Sequence, residues 1–312
     1  MDGRLLATAD REIRTHYPDL YSLLVVHQGA IVCEHYYHGY ARHDAFDLRS
    51  ATKSFTSALV GCALQYGYLS SLDMPLTALF PEILDHEVDP RKAAITVRHV
   101  LTMTAGFAWN DRADWHRLWV ADDLIACTLG LPMAAKPGEA FSYNTAATQL
   151  LIGIVRRATG LPAFDFARDA LFGPLEIATP CWETDRQGNI LGGVGLSLTA
   201  REMAKLGMLY LDGGVWNGTP IVPAAYVRAS TTAQATGGDP EEAQYGFHWW
   251  VTTERGHVAY FAAGYGGQYI FVVPDLDLVA VTTANAALPS SQVTNIRQVV
   301  ADVVIPAIER DP

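Results

Sequence analysis

Ser50-Ala51-Thr52-Lys53 puts a hydroxyl and an amine three residues apart at the head of a helix-like run. Phe55, Leu59, Cys62, Ala63 and Tyr66 recur at three- and four-residue steps, which predicts a helix with one buried face, stopped at Gly67. On such a helix Ser50 and Lys53 share a side, one turn apart. A serine hydroxyl at neutral pH needs a neighbouring base to become a nucleophile. Lysine is that base only when its amine is neutral, which burial and the positive end of a helix both favour. The same helix start offers N–H groups to a developing oxyanion.

Four residues alone carry little. With 11 Ser and 4 Lys in 312 residues, Ser-x-x-Lys arises by chance in about one such chain in seven. A serine N-cap followed by a solvated lysine is the plainer reading of the tetrapeptide. The other 18 cationic side chains are Arg. Arg keeps its proton, so a scarce Lys in this place stands out.

Half of the residues are hydrophobic, enough for a large core in one domain or two closely packed lobes. The formal charge is -11 and no Lys/Arg-rich run is present, which argues against nucleic acid as a partner. Cys33, Cys62, Cys127 and Cys181 are widely spaced, without a C-x-x-C, and read as buried thiols rather than metal ligands. Residues 1–20 lack an apolar signal-peptide core, and no apolar run approaches membrane-spanning length. The expectation is a soluble cytoplasmic protein that needs no cofactor and no metal. The oligomeric state is left open.

The elements that must position the pair follow from the pattern. An amphipathic helix is expected over 3–16, then a hairpin from 21–27 and 30–37 across Gln28-Gly29. Residues 73–184 turn helical and loop-rich. Within them, 107–119 carry Trp109, Trp115 and Trp119 with Asp111 and Asp114, and read as a loop that is either a packed lid or a pocket wall. Phe141 to Thr145 leads into a helix with Leu150, Leu151, Ile154 and Val155 on one face. The Gly192–Gly195 turn lacks a nucleotide-fold strand before it, so phosphate binding carries little weight. Thr199 and Glu202 form a capping box. Strands are expected at 245–252, 258–263, 268–273 and 278–283, as an antiparallel meander, with a last amphipathic helix over 290–308. The prediction is an α+β fold. An antiparallel sheet domain of residues 1–52 and 190–312 is flanked by helices, residues 53–189 form an all-helical lobe, and a cleft lies between them.

Taken together, these stretches resemble the serine β-lactamase and penicillin-binding protein superfamily, in its class C-like branch. That branch holds class C β-lactamases, D-alanyl-D-alanine carboxypeptidases, β-lactamase-like esterases and 6-aminohexanoate-dimer hydrolases. Ser50-Ala-Thr-Lys53-Ser-Phe matches the first motif, and Pro137-Gly-Glu-Ala-Phe-Ser-Tyr143 the segment of the second. Ala263-Gly264-Tyr265-Gly266-Gly267-Gln268 falls where the third lies on a strand edge, and Leu101–Gly106, Gly195–Ala200 and Tyr245–Trp250 add support. The likeness spans nearly the whole chain. It departs in two places: the second motif reads Tyr143-Asn144-Thr145 with its Asn displaced by one, and the third reads Ala262-Ala263-Gly264 without the usual cation. That cation helps to hold a substrate carboxylate, so the resemblance implies an ester or small amide substrate more than a β-lactam.

The resemblance implies a serine hydrolase working through an acyl-enzyme. Ser50 is the nucleophile, Lys53 the base and Tyr143 the proton shuttle. The N–H groups of Ser50 and Tyr265 form the oxyanion hole, and Trp109, Asn144, Gly264 and Gly266 line the pocket. A phenol beside the pair relays protons if Lys53 lowers its pKa; read plainly, Tyr143 is a half-buried ring heading a helix. The rivals are a true β-lactamase or D,D-peptidase, and a catalytically silent ligand-binding relative. Gln268 is expected to pair within the sheet. His27, His99, His116 and His248 are expected to be structural, since no G-x-S-x-G motif accompanies them.

Overall fold

A computed structural model describes residues 12–84 and 89–310. Residues 12–16 are helical, and the first part of the helix expected over 3–16 lies outside the described residues. Strands β1 (Leu20–His27) and β2 (Ala30–Tyr36) form the opening hairpin, and β3 (Phe46–Asp47) leads to the Ser50 turn. Strands β4 (Cys181–Trp182) and β5 (Leu196–Leu198) join β3 in a small sheet, and β6 (Val215–Trp216) and β7 (Thr219–Pro220) pair with each other. The late strands are β8 (Ala235–Gly238), β9 (Ala243–Tyr245), β10 (Trp250–Glu254), β11 (His257–Gly264), β12 (Gln268–Val273) and β13 (Leu278–Ala284).

The main sheet runs β2-β1-β13-β12-β11-β10-β9-β8, antiparallel throughout. The opening hairpin joins the late meander as expected, with Leu24 opposite Val281. Every residue of β12 and β13 is buried because helices cover both faces of the sheet. Ile270, Val272, Val279 and Val281 pack into the larger core, and Phe271, Val273 and Ala280 into a second one with Ile296, Val299 and Val300. One expected strand, 245–252, is instead two, because Gly246–Trp249 turn β9 back against β10 and pair Tyr245 with Trp250. The last helix begins at Arg297 rather than near 290; residues 290–292 form a separate turn before it.

Nine helices matter here. They are α1 (Thr52–Gln65), α2 (Val97–Leu101), α3 (Asp111–Asp114), α4 (His116–Val120), α5 (Leu124–Leu129), α6 (Thr145–Thr159), α7 (Ala163–Ala167), α8 (Ala200–Leu211) and α9 (Ala224–Ser230). The Trp-rich stretch read as a loop thus holds α3 and α4, with Asn110 capping the first. Helix α8 opens on the Thr199/Glu202 capping box and lies on the sheet. At Gly207 a Cβ would stand 2.6 Å from Val279 Cγ1, so glycine lets the helix approach that closely.

Helix α1 differs from the expectation of one buried face: every residue from Thr52 to Ala63 is buried. Its polar side chains are what make this tolerable, since each finds a partner. Ser54 Oγ donates to His248 O at 2.6 Å, Thr56 Oγ1 to Gly192 O at 2.7 Å, and Ser57 Oγ to Phe247 O at 2.7 Å. The chain leaves α1 through Gly67, whose φ of +74° suits a glycine stop.

Candidate active site

Ser50 sits in a single 3₁₀ turn, Arg49–Ala51, that feeds α1. The preceding residue, Arg49, holds a φ of +49°, a left-handed conformation that costs energy for a side chain with a Cβ. Asp47 supports it: Arg49 N donates to Asp47 Oδ1 at 2.8 Å and the guanidinium Nε lies 3.1 Å from Oδ2. This kink turns the chain from β3 into the helix and leaves Ser50 half-buried at the helix mouth.

Lys53 is 2% exposed. Its Nζ donates to Ser50 Oγ at 2.9 Å and to the carbonyl oxygen of Gly193 at 3.0 Å. Burial pulls the amine down to about 8, against a smaller upward pull from the Asp111 carboxylate. The Gly-rich turn that offers Gly193 O is tied to α6 by Gln149. Gln149 Nε2 donates to Ile190 O at 3.0 Å, and its Oε1 accepts from Gly192 N at 2.7 Å.

Tyr143 stacks on Trp250, with ring centroids 5.6 Å apart and planes at 20°, and meets Tyr245 edge-on at 6.3 Å. Lys53 Nζ lies 4.9 Å from the centre of its ring. The pKa shift is opposite to the one expected. Burial and the nearby Asp111 and Glu241 carboxylates raise the phenol, and an interaction with the Ser50 hydroxyl offsets this only in part. Burial therefore favours the neutral phenol over the phenolate in the resting site.

Of the pocket residues expected from sequence, Trp109 and Asn144 are buried. Trp109 is turned into the core at 9% exposure, its indole N–H bound to Asp111 Oδ1 at 2.8 Å. Asn144 is buried as the N-cap of α6, accepting from Ala147 N at 2.8 Å. Burial suits a ring that large, and capping suits a free helix N-terminus. Gly264 ends β11 where the strand passes the Ser50 turn, and a Cβ there would stand 2.1 Å from Leu48 O. Gly266 has a φ of +86° in the β11–β12 turn, and Tyr265 between them is 46% exposed, its hydroxyl donating to Leu288 O at 2.6 Å. Gln268 is spent in the sheet, with Nε2 donating to Ala284 O at 2.7 Å. Because the obstacle at Gly264 is backbone, Gly264→Ala must displace the Ser50 turn. We expect a stability loss of roughly 1–3 kcal/mol in urea titration, with a disproportionate fall in turnover.

Asp111 is the residue that sequence reasoning missed. Its Oδ1 accepts from Thr145 N at 2.8 Å and its Oδ2 from Thr145 Oγ1 at 3.0 Å, pinning the Trp-rich segment to the start of α6. Of the histidines, His248 accepts through its carbonyl from Ser54 and feels the Lys53 charge. It is 2% exposed, and burial, then the Lys53 charge, pulls it down to about 3, so it stays neutral. His99 completes a capping box with Thr96. No helix among the described residues is long and apolar enough to cross a membrane.

The chain is 27% identical to the 6-aminohexanoate-dimer hydrolase of Paenarthrobacter ureafaciens over 94% of its own length and 79% of that protein's. It is 28% identical to esterase EstB of Burkholderia gladioli over 38% of this chain and 33% of that one. Its fold superimposes on a candidate 6-aminohexanoate-dimer hydrolase from Bacillus anthracis with a TM-score of 0.81 at 20% identity, covering 96% of this chain and 81% of the other. The family described as Beta-lactamase matches residues 21–304, nearly the whole chain. The chain thus belongs to the beta-lactamase family.

Proposed function

We propose that the Ser50–Lys53 pair is the centre at which this β-lactamase-family hydrolase cleaves an ester or a small amide through an acyl-enzyme. The carrying observation is the 2.9 Å contact of Ser50 Oγ with a lysine amine buried deeply enough to titrate near 8. With its proton lost, Lys53 Nζ accepts the Ser50 hydroxyl proton across that contact as Oγ attacks the carbonyl carbon. The N–H groups of Ser50 and Tyr265 hold the oxyanion. Tyr143 gives its proton to the leaving oxygen or nitrogen and is reprotonated from Lys53. Water then attacks the acyl group by the reverse proton path, releasing the acid and restoring Ser50.

Ala262 and Ala263 stand before Gly264 on β11, without a side chain that would hold a substrate carboxylate. This supports neutral esters and amides over β-lactams and peptide C-termini. The free thiols of Cys62, Cys127 and Cys181 support a reducing, cytoplasmic setting.

The pH profile tests the assignment of the base. With Lys53 near 8, about one amine in ten is neutral at pH 7. For a neutral ester, kcat/KM should climb about tenfold per pH unit below 8 and level off above it. Asp111→Asn removes a charge that holds the proton on, so its profile should shift to lower pH. A wild-type profile flat from pH 6 to 9 would remove Lys53 as the base.

A further inference from the structure

A shallow recess, open to solvent, lies between α4, α5, the start of α6 and the Gly192–Gly195 turn. Trp115, Leu118, Trp119, Leu124, Leu191 and Val194 supply its side-chain walls. Two polar side chains also touch it, and both are already engaged. Thr145 Oγ1 donates to Asp111, and both ends of the Gln149 amide are bound to the 190–192 backbone. On the neighbouring elements Arg186 pairs with Asp122 at 2.6 Å and Arg117 with Asp114 at 3.7 Å. A ligand entering the recess therefore meets mainly apolar side chains.

Its position couples it to the chemistry. Gly193 forms part of the wall, and the carbonyl oxygen of that residue is 3.0 Å from Lys53 Nζ. Trp119 is 50% and Val120 66% exposed beside the opening. The Trp115 and Trp119 rings meet edge-on at 5.7 Å, so one wall is a preformed aromatic corner.

We propose that this recess is a subsite for an uncharged, apolar portion of the substrate, an alkyl or aryl group next to the scissile carbonyl. The inference rests on Ser50 being the nucleophile. The group belongs either to the acyl or to the alcohol half, and two series separate these. The first is p-nitrophenyl esters from acetate to octanoate; the second is acetate esters of ethanol to hexanol.

In the series whose variable half enters the recess, kcat/KM should rise roughly three- to fourfold per methylene over the first few carbons, then level. Trp119→Ser and, separately, Val194→Asp should each cut the hexanoate-to-acetate or hexyl-to-ethyl ratio by about threefold or more. Trp119 is half exposed, so its replacement leaves the core intact. Two flat series, or a slope indifferent to both substitutions, overturn the inference while Ser50-dependent hydrolysis still stands. Absence of any Ser50-dependent hydrolysis overturns both.

Discussion

Lys53→Met should lower ester turnover by about 10³-fold or more and leave the protein at least as stable as the wild type. The first half follows from the chemistry: Met cannot accept the Ser50 proton. The second follows from burial. The amine titrates near 8 in the folded chain and near 10.4 in an unfolded one. Between those values the unfolded chain holds the proton and the folded one does not, so stability rises with pH across the window. Below it, the charged lysine weighs against folding by roughly 3 kcal/mol at most. Methionine removes that burden but strands the Gly193 carbonyl, a loss of about 1–2 kcal/mol. The balance is a gain of roughly 1–2 kcal/mol at pH 7, without the alkaline rise. Urea titrations of both proteins at pH 7 and pH 10 measure it. A variant that unfolds more easily at pH 7, or one that still turns over at a tenth of the normal rate, would contradict this view of Lys53.

Tyr143→Phe should cost about 10²- to 10³-fold in kcat on alkyl esters and much less on p-nitrophenyl esters. The phenol is held neutral by burial and by Asp111 and Glu241, so its contribution is a donated proton. An alkoxide must receive one to leave, whereas p-nitrophenolate departs without it. KM should change little, because phenylalanine keeps the stack on Trp250. Equal losses on both classes of ester would mean that Tyr143 shapes the site without moving a proton.

The proposed reaction centre is legible in the sequence because its parts are local or ordered along the chain. Ser50 and Lys53 are one turn apart, and Tyr143 heads a helix whose apolar face is plain. The meander was legible from alternating apolar runs and turn residues, and the capping box at Thr199 from its spacing. What escaped depends on contacts far apart in sequence. Helix α1 is buried all round because Ser54, Thr56 and Ser57 bond to carbonyls of Gly192, Phe247 and His248, and nothing within the helix announces those partners. Asp111 looked like any acid in a polar stretch until Thr145 closed on it. Among three tryptophans, the sequence gives no reason why Trp109 should turn inward while Trp115 and Trp119 form a wall. The hydrogen bond from the Trp109 indole to Asp111 decides it.

The central claim is that Ser50 is the acylated nucleophile, and covalent labelling reads it most directly. The wild-type protein is treated with a fluorophosphonate and digested, and the modified peptide is sequenced by mass spectrometry. One label per chain on Ser50, absent from Ser50→Ala together with ester hydrolysis and formed far more slowly in Lys53→Met, is the predicted result. A label on another residue, or a Ser50→Ala protein that still hydrolyses esters at the wild-type rate, would contradict it.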